Sequence, residues 1–94
     1  MQDKNHFLEE ATFAISSPIR IEILKLVKTK GNVSNKELSA ELNIHPANIS
    51  QHLKILKHSN LIEERERLKN NTILLSIVPG SLKKLKQGLD FLFV

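Results

Sequence analysis

The chain has 94 residues, a formal net charge of +4 and no cysteine, tryptophan or tyrosine. The absence of cysteine excludes disulfides, thiolate metal sites and a cysteine nucleophile. No segment approaches the roughly 20 apolar residues of a membrane span, and the polar, acidic N-terminus lacks the pattern of a signal peptide. We therefore expect one domain, residues 1–94, that lies in the cytoplasm and makes no membrane contact.

Two helices are predicted in the first third of the chain. Apolar residues recur with the helical period over about residues 4–15. Ser17 and Pro18 then form a typical helix start, because serine caps free backbone N–H groups and proline fits the first turn. Gly31 is expected to end this second helix, since glycine readily adopts the left-handed conformation found there.

Two further helices joined by a short turn predict a helix-turn-helix motif. Ser34 and Glu37 have the spacing of a capping box, in which each side chain accepts a hydrogen bond from the other residue's backbone N–H. Residues 43–45 make a tight connection to a longer helix that begins at Pro46 and ends near Ser59. Two helices joined this closely pack at a steep angle, which directs the second one outward.

The last third of the chain predicts a β-hairpin and one more helix. Residues 62–68 and 72–78 are expected to be strands, because an asparagine-rich turn separates them. Residues 79–81 break the second strand, and a final helix follows to about Phe93. The order of elements predicts a mainly α, winged helix-turn-helix fold with five helices and a two-stranded hairpin as the wing.

The second helix of the motif is predicted to bind double-stranded DNA. Ile49, Leu53 and Leu56 make one side apolar, so the opposite, polar side is expected to face solvent and to fit a major groove. Residues 16–60 contain seven lysines and arginines against three glutamates, which favours an anionic partner. The predicted contacts on this helix are Pro46, Ala47, Ser50, Gln51 and Lys54.

The hairpin is predicted to supply a second contact with DNA. A basic β-ribbon can lie along a minor groove or the phosphate backbone. Glutamates alternate with the basic residues, so one face of the hairpin is expected to meet DNA. The predicted contacts are Arg65, Arg67, Lys69 and Asn70.

The sequence resembles the ArsR/SmtB family of winged-helix repressors over about residues 8–78. The resemblance rests on the runs AISSPIRIEILKLV, NKELSAELNI and ANISQHLKILKHSNLI and on the hairpin after them. It implies a homodimer that reads two half-sites of an inverted repeat. It also implies that Pro46, Ala47, Ser50 and Gln51 contact DNA. Ser34 and Lys36, at the start of the preceding helix, match contacts with the DNA backbone.

Self-association is predicted through the first and last helices. A small chain that ends in Phe91-Leu92-Phe93-Val94 would expose an apolar patch unless a partner covered it. The resemblance implies the same two helices as the dimer interface. The predicted interface residues are Phe7, Leu8, Ala11, Ile15, Leu82, Leu85, Leu89, Leu92 and Phe93. In the alternative interpretation, both helices only close the core of their own chain.

No metal, cofactor or catalytic site is predicted. The resemblance implies two places for metal ligands. On the first helix of the motif, where the family has cysteines, this chain has Leu38, Ser39 and Ala40. On the last helix, where the family has Asp, His and Glu, this chain offers only Asp90. No two histidines have the i, i+4 spacing of a helical metal site. No candidate nucleophile is accompanied by a general base and by a third group that would orient that base. Two alternatives stay open: a winged-helix protein-interaction module, and a repressor that senses metal through histidines and carboxylates. The effector is not indicated.

Overall fold

The computed structural model describes residues 4–93 and confirms the predicted winged-helix fold. The elements follow one another in the predicted order, with helix and strand ends within one or two residues of those expected. The helices are α1 (Lys4–Ala14), α2 (Pro18–Lys30), α3 (Asn35–Leu42), α4 (Pro46–His58) and α5 (Ser81–Leu92), and the strands are β1 (Ile62–Arg67) and β2 (Ile73–Ile77). Val94, which belongs to the predicted apolar patch, lies outside the described residues.

The predicted signals at both ends of α2 are confirmed. The Ser17 hydroxyl accepts a hydrogen bond from the backbone N–H of Arg20, and Pro18 occupies the first turn. Gly31 has a φ of 89° and its N–H donates to the carbonyl of Val27, which ends the helix. A side chain would be strained in this backbone conformation, so the sequence fixes the end of α2 at this glycine.

The capping box at the start of α3 is confirmed in both directions. The Glu37 N–H donates to the Ser34 hydroxyl over 3.2 Å, and the Ser34 N–H donates to the Glu37 carboxylate over 3.0 Å. Asn43 ends α3 in the left-handed conformation, with a φ of 55°. His45 then caps α4, because its Nδ1 accepts from the Ala47 N–H over 3.1 Å. These caps fix the geometry of the turn that joins the two helices of the motif.

The two strands form an antiparallel hairpin with an irregularity near its middle. Ile62 pairs with Ile77 at the base, and the register shifts between Glu64 and Glu66, which leaves Arg65 in a bulge. Val33, in the loop before α3, exchanges backbone hydrogen bonds of 3.0 and 2.8 Å with Leu75. The hairpin is therefore attached to the helix-turn-helix through the backbone as well as through side-chain packing.

All five helices and both strands contribute to one core. The hydrophobic residues that are at most 1% exposed are Ala11, Ala14, Ile23, Val27, Val33, Leu38, Ile49, Leu56, Leu61 and Ile62. No helix between residues 4 and 93 combines the length and the apolar character that a lipid bilayer requires. The core places α4 so that one side is packed and the other faces solvent.

The predicted self-association residues divide into buried and accessible groups. Ala11 and Leu85 are 0% and 6% exposed within the single chain, so they belong to its own core. The half-buried residues are Phe7, Leu8, Ile15, Leu82 and Leu89. Leu92 and Phe93, at the end of α5, are 58% and 84% exposed. The open apolar surface therefore lies mainly at the C-terminal end of α5.

Candidate nucleic-acid interface

The side of α4 opposite the core is the central feature of the candidate interface. Ile49, Leu53 and Leu56 are buried, as their spacing predicts. Each predicted contact on this helix lies among the exposed residues: Pro46, Ala47, Ser50, Gln51 and Lys54. The helix therefore presents a polar side with one lysine to solvent, which is the arrangement that major-groove reading requires.

Ser50 is oriented by a residue that the sequence did not single out. The Asn35 side-chain amide donates to the Ser50 hydroxyl over 2.7 Å and to the Pro46 carbonyl over 3.3 Å. The Ser50 oxygen is thus occupied as an acceptor, while its own O–H is left to donate to a base or a phosphate. Asn35 also fixes the start of α3 against the start of α4.

Predicted contacts from the start of α3 and from α4 line one cleft, whereas none of the predicted contacts of the hairpin does. This cleft, which we term the motif cleft, has a volume of about 350 Å³ and lies between α3, α4 and the hairpin. Its polar lining residues are Ser34, Asn35, Lys36, Ser50, Lys57, Glu64, Asn71 and Thr72. Ser34 itself is 6% exposed and its hydroxyl is used in the cap, whereas Lys36 is exposed. The lysine is therefore the better placed of these two for a phosphate.

The basic residues of the hairpin do not all lie on one face. Arg65, Arg67, Lys69 and Asn70 are exposed. Arg65, however, lines a groove beside Lys28, at the end of α2, and Leu82 of α5, while the neighbouring Glu64 lines the motif cleft. Asn70 shapes the turn, since its side-chain oxygen accepts from the Thr72 N–H over 3.1 Å. The hairpin thus separates Arg65 from the motif cleft and from the exposed side of α4.

An ion pair joins α4 to the hairpin. The Lys57 ammonium lies 2.9 Å from a carboxylate oxygen of Glu64. The hydrogen bond and the charge of Lys57 lower the pKa of Glu64, and the more distant Arg67 adds to this effect. Sequence reasoning did not find the pair, because the two residues meet only after the chain has turned between α4 and β1.

A buried arginine connects α1, α2 and α4. Arg20 of α2 is 8% exposed; its Nε donates to the Ala14 carbonyl over 2.7 Å, and its Nη2 donates to the Phe13 carbonyl over 3.3 Å. Its Nη1 lies 3.3 Å from Nδ1 of His52 on α4. A guanidinium can only donate, so the His52 Nδ1 accepts and the ring is neutral. Burial, and then the charge of Arg20, lower the pKa of His52.

Two of the histidines make separate structural contacts, and the other two lie beside the same carboxylate. His45 caps α4, and His52 accepts from Arg20. His6 and His58 lie 3.9 and 3.4 Å from the two carboxylate oxygens of Glu10. Between residues 4 and 93 no three histidines or carboxylates are arranged so that they could hold a metal ion.

Comparisons with known proteins agree on one family and one fold. The model of a family described as "bacterial regulatory protein, arsR family" matches residues 17–64, slightly more than half of the chain. A search of curated proteins gave no match. The matched segment extends from the cap of α2 to the first residues of β1 and so contains the whole helix-turn-helix motif.

Several solved structures share the architecture over almost the whole chain. HlyU from Vibrio cholerae has a TM-score of 0.75 and 22% identity, over 99% of this chain and 98% of that one. An ArsR-like transcriptional regulator from a Rhodococcus species has a TM-score of 0.78 and 22% identity, over 92% and 76%. NolR from Sinorhizobium fredii has a TM-score of 0.72 and 23% identity, over 99% and 97%. At these identities the likeness shows a shared fold.

Proposed function

Because the chain belongs to the arsR family of bacterial regulatory proteins, and is thus a DNA-binding transcription regulator, we propose that it represses transcription as a homodimer. In this proposal the dimer binds an inverted repeat and α4 of each protomer reads one half-site in the major groove. Repression follows when the bound dimer occupies a promoter.

The exposed side of α4 is the observation on which this proposal depends. Gln51 can pair with a base edge, since a side-chain amide matches the donor and acceptor of adenine in the major groove. Ala47 is small and exposed, so it allows close approach or contact with a thymine methyl group. Lys54, one turn further along α4, is positioned for a phosphate.

The motif cleft and the hairpin supply the proposed backbone contacts. Lys36 lies at the start of α3, where the partial positive charge of the helix N-terminus also favours a phosphate. Arg67 and Lys69 are exposed near the tip of the hairpin. In this proposal they contact a groove next to the one that α4 reads. Arg65 is the least favourably placed of the predicted contacts, because it lies beside α2 and α5.

The apolar surface at the end of α5 supports the proposed self-association. Phe91, Leu92 and Phe93 are 83%, 58% and 84% exposed in the single chain. Such a patch is unfavourable in water and is seldom left open in a small soluble domain. In this proposal a two-fold contact covers the patch and the two α4 helices lie about 34–36 Å apart, because that is the distance between successive major grooves on one side of DNA.

Selection of bound sequences from a pool of random duplexes tests the proposed function. We expect enrichment of an inverted repeat whose half-sites are about 10 base pairs apart from centre to centre. Enrichment of a single half-site would contradict the dimer. Recovery of duplexes that share no common sequence would contradict sequence-specific reading. The control is the same selection with a variant in which Gln51 and Lys54 are both alanine, which should bind more weakly and lose the preference for one base pair in each half-site.

A further inference from the structure

The first residue of α3 reaches across to α4 with its side chain. The Asn35 amide nitrogen donates to the Ser50 hydroxyl over 2.7 Å and to the Pro46 carbonyl over 3.3 Å. A carbonyl can only accept, so the nitrogen of the amide, and not its oxygen, faces Pro46. This contact fixes which way the amide is turned, and the same nitrogen is then the group that meets Ser50.

The amide oxygen of Asn35 makes no comparable contact. It is buried, and it has no hydrogen-bond partner in the part of the chain that the structure describes. A buried acceptor without a partner costs free energy, which offsets much of what the two bonds of the nitrogen contribute. Stability alone therefore gives little reason for an asparagine at this position, and its effect on Ser50 is the more informative feature.

The bond from Asn35 determines what the Ser50 hydroxyl can do. A serine inside a helix commonly donates to the carbonyl four residues earlier, which for Ser50 is the carbonyl of Pro46. Among residues 4–93, however, the Ser50 hydroxyl takes part in one hydrogen bond, and in that bond its oxygen accepts. The proton of this exposed hydroxyl is thus available to an acceptor outside the protein.

The surroundings of Ser50 favour a phosphate as that acceptor. Ser50 and Asn35 line the motif cleft, whose charged lining residues are Lys36, Lys57 and Glu64. Lys57 and Glu64 pair over 2.9 Å, so Lys36 is the charged lining residue that is left for an external partner. A lysine attracts a phosphate as a point charge, and a hydroxyl adds a directed hydrogen bond. The cleft therefore combines a cation with a donor that is already oriented.

We propose that Asn35 is a positioning residue, which keeps the Ser50 hydroxyl ready to donate to a DNA phosphate beside Lys36. Without Asn35, the hydroxyl can turn back to the Pro46 carbonyl, and that bond must be broken before the phosphate is contacted. Asn35 acts through Ser50 and does not itself contact DNA. This inference rests on the proposed function, since it assigns a role within the contact between α4 and the DNA backbone.

A double-mutant cycle measured by fluorescence anisotropy tests the role of Asn35, with the selected duplex and a random duplex as probes. Ser50→Ala should weaken binding to both duplexes about tenfold, because a hydrogen bond to a charged group is lost. Asn35→Ala should weaken binding to both about threefold, because the bond to Pro46 that forms in its place must first be broken. In the Ser50→Ala background, Asn35→Ala should have no further effect, since the hydroxyl that it positions is gone.

The matched control and the melting temperature separate positioning from a structural role. Gln87→Ala, which removes an amide from the exposed side of α5, should bind both duplexes as the wild type does. Asn35→Ala removes two hydrogen bonds but also a buried oxygen without a partner, so its melting temperature should stay close to that of the wild type. A large fall in melting temperature together with the loss of affinity would contradict the positioning role.

The outcomes of the cycle distinguish this inference from the proposed function. Additive losses in the double variant, or wild-type affinity in Asn35→Ala, would refute the role of Asn35 and leave the proposed function intact. A loss in Ser50→Ala that is confined to the selected duplex would place Ser50 on a base edge and overturn the phosphate contact. If the wild type binds neither duplex, the proposed function fails, and this inference fails with it.

Discussion

Arg20 holds the C-terminal end of α1 and the middle of α4 to the same guanidinium group. It donates to the carbonyls of Phe13 and Ala14, in the last turn of α1. The Phe13 carbonyl also accepts from the backbone N–H and the hydroxyl of Ser16. Its third contact is Nδ1 of His52, the residue next to Gln51. The position of the proposed reading helix is thus tied to α1 through one buried charge.

Protonation of His52 should weaken this connection. The folded structure lowers the pKa of His52 below its ordinary value of 6.5, so at acidic pH the unfolded chain binds more protons than the folded one. The contribution of His52 to stability is therefore complete above about pH 6.5 and is lost progressively as the pH falls below it. Urea unfolding of the wild type and of His52→Gln, at pH 8 and pH 5, measures this difference.

The pH-dependent loss of stability should be smaller in His52→Gln than in the wild type. His58→Gln is the matched control on the same helix, because His58 is 74% exposed and faces the carboxylate of Glu10. An identical pH dependence in the wild type and in His52→Gln would contradict the proposed role of the Arg20 contact.

The ends of the elements were predictable because their signals are local. The capping box at Ser34, the glycine at residue 31 and the asparagine after α4 each act on a backbone group within a few residues. Asn60, for example, has the left-handed φ of 62° that its place after α4 indicates. The predicted contacts of α4 also followed from local spacing, since burying Ile49, Leu53 and Leu56 determines which residues remain outside.

The contacts between elements were not predictable from spacing. The backbone pairing of Val33 with Leu75 joins positions far apart in the chain. The bond from Asn35 to Ser50 and the ion pair between Lys57 and Glu64 likewise depend on how α3, α4 and the hairpin pack. Arg20 looks like an ordinary surface charge in the sequence, and only the approach of α1 and α4 buries it.

Loss of the α3 cap should destabilise the whole domain. Ser34→Ala removes the acceptor of the Glu37 N–H and should lower the free energy of unfolding by about 1 kcal/mol. In a domain of this size that corresponds to a melting temperature roughly 4–8 °C lower. Thermal unfolding followed by circular dichroism measures the shift. Lys36→Ala, an exposed change on the same helix, is the control and should leave the melting temperature nearly unchanged.

At the scale of the whole molecule, self-association and DNA binding should be linked. Phe93→Glu places a charge in the most exposed part of the apolar patch, at a position that is 84% exposed and so not needed for folding. We expect this variant to be a monomer in sedimentation velocity, with an unchanged melting profile at low protein concentration. It should also lose most of its affinity for the inverted repeat, because each half-site would then be bound separately.

Gln87→Glu, on the exposed side of α5, is the control for the charge change and should behave as the wild type. A Phe93→Glu variant that remains a dimer, or a monomer that binds the inverted repeat as tightly as the wild type, would contradict the proposed assembly. The affinity of the wild-type protein for DNA should also fall steeply as the salt concentration rises, since each phosphate contact releases counterions.

Fluorescence anisotropy with the selected duplex tests most directly whether the free side of α4 touches DNA. Gln51→Ala should lose about 1–3 kcal/mol of discrimination at one base pair. Lys54→Ala should weaken binding to the selected duplex and to random duplexes alike, and it should reduce the slope of log affinity against log salt concentration by about 1. Gln87→Ala and Lys83→Ala, the matched controls on α5, should change neither quantity. If the two α4 variants bind every duplex as the controls do, α4 is not the reading helix.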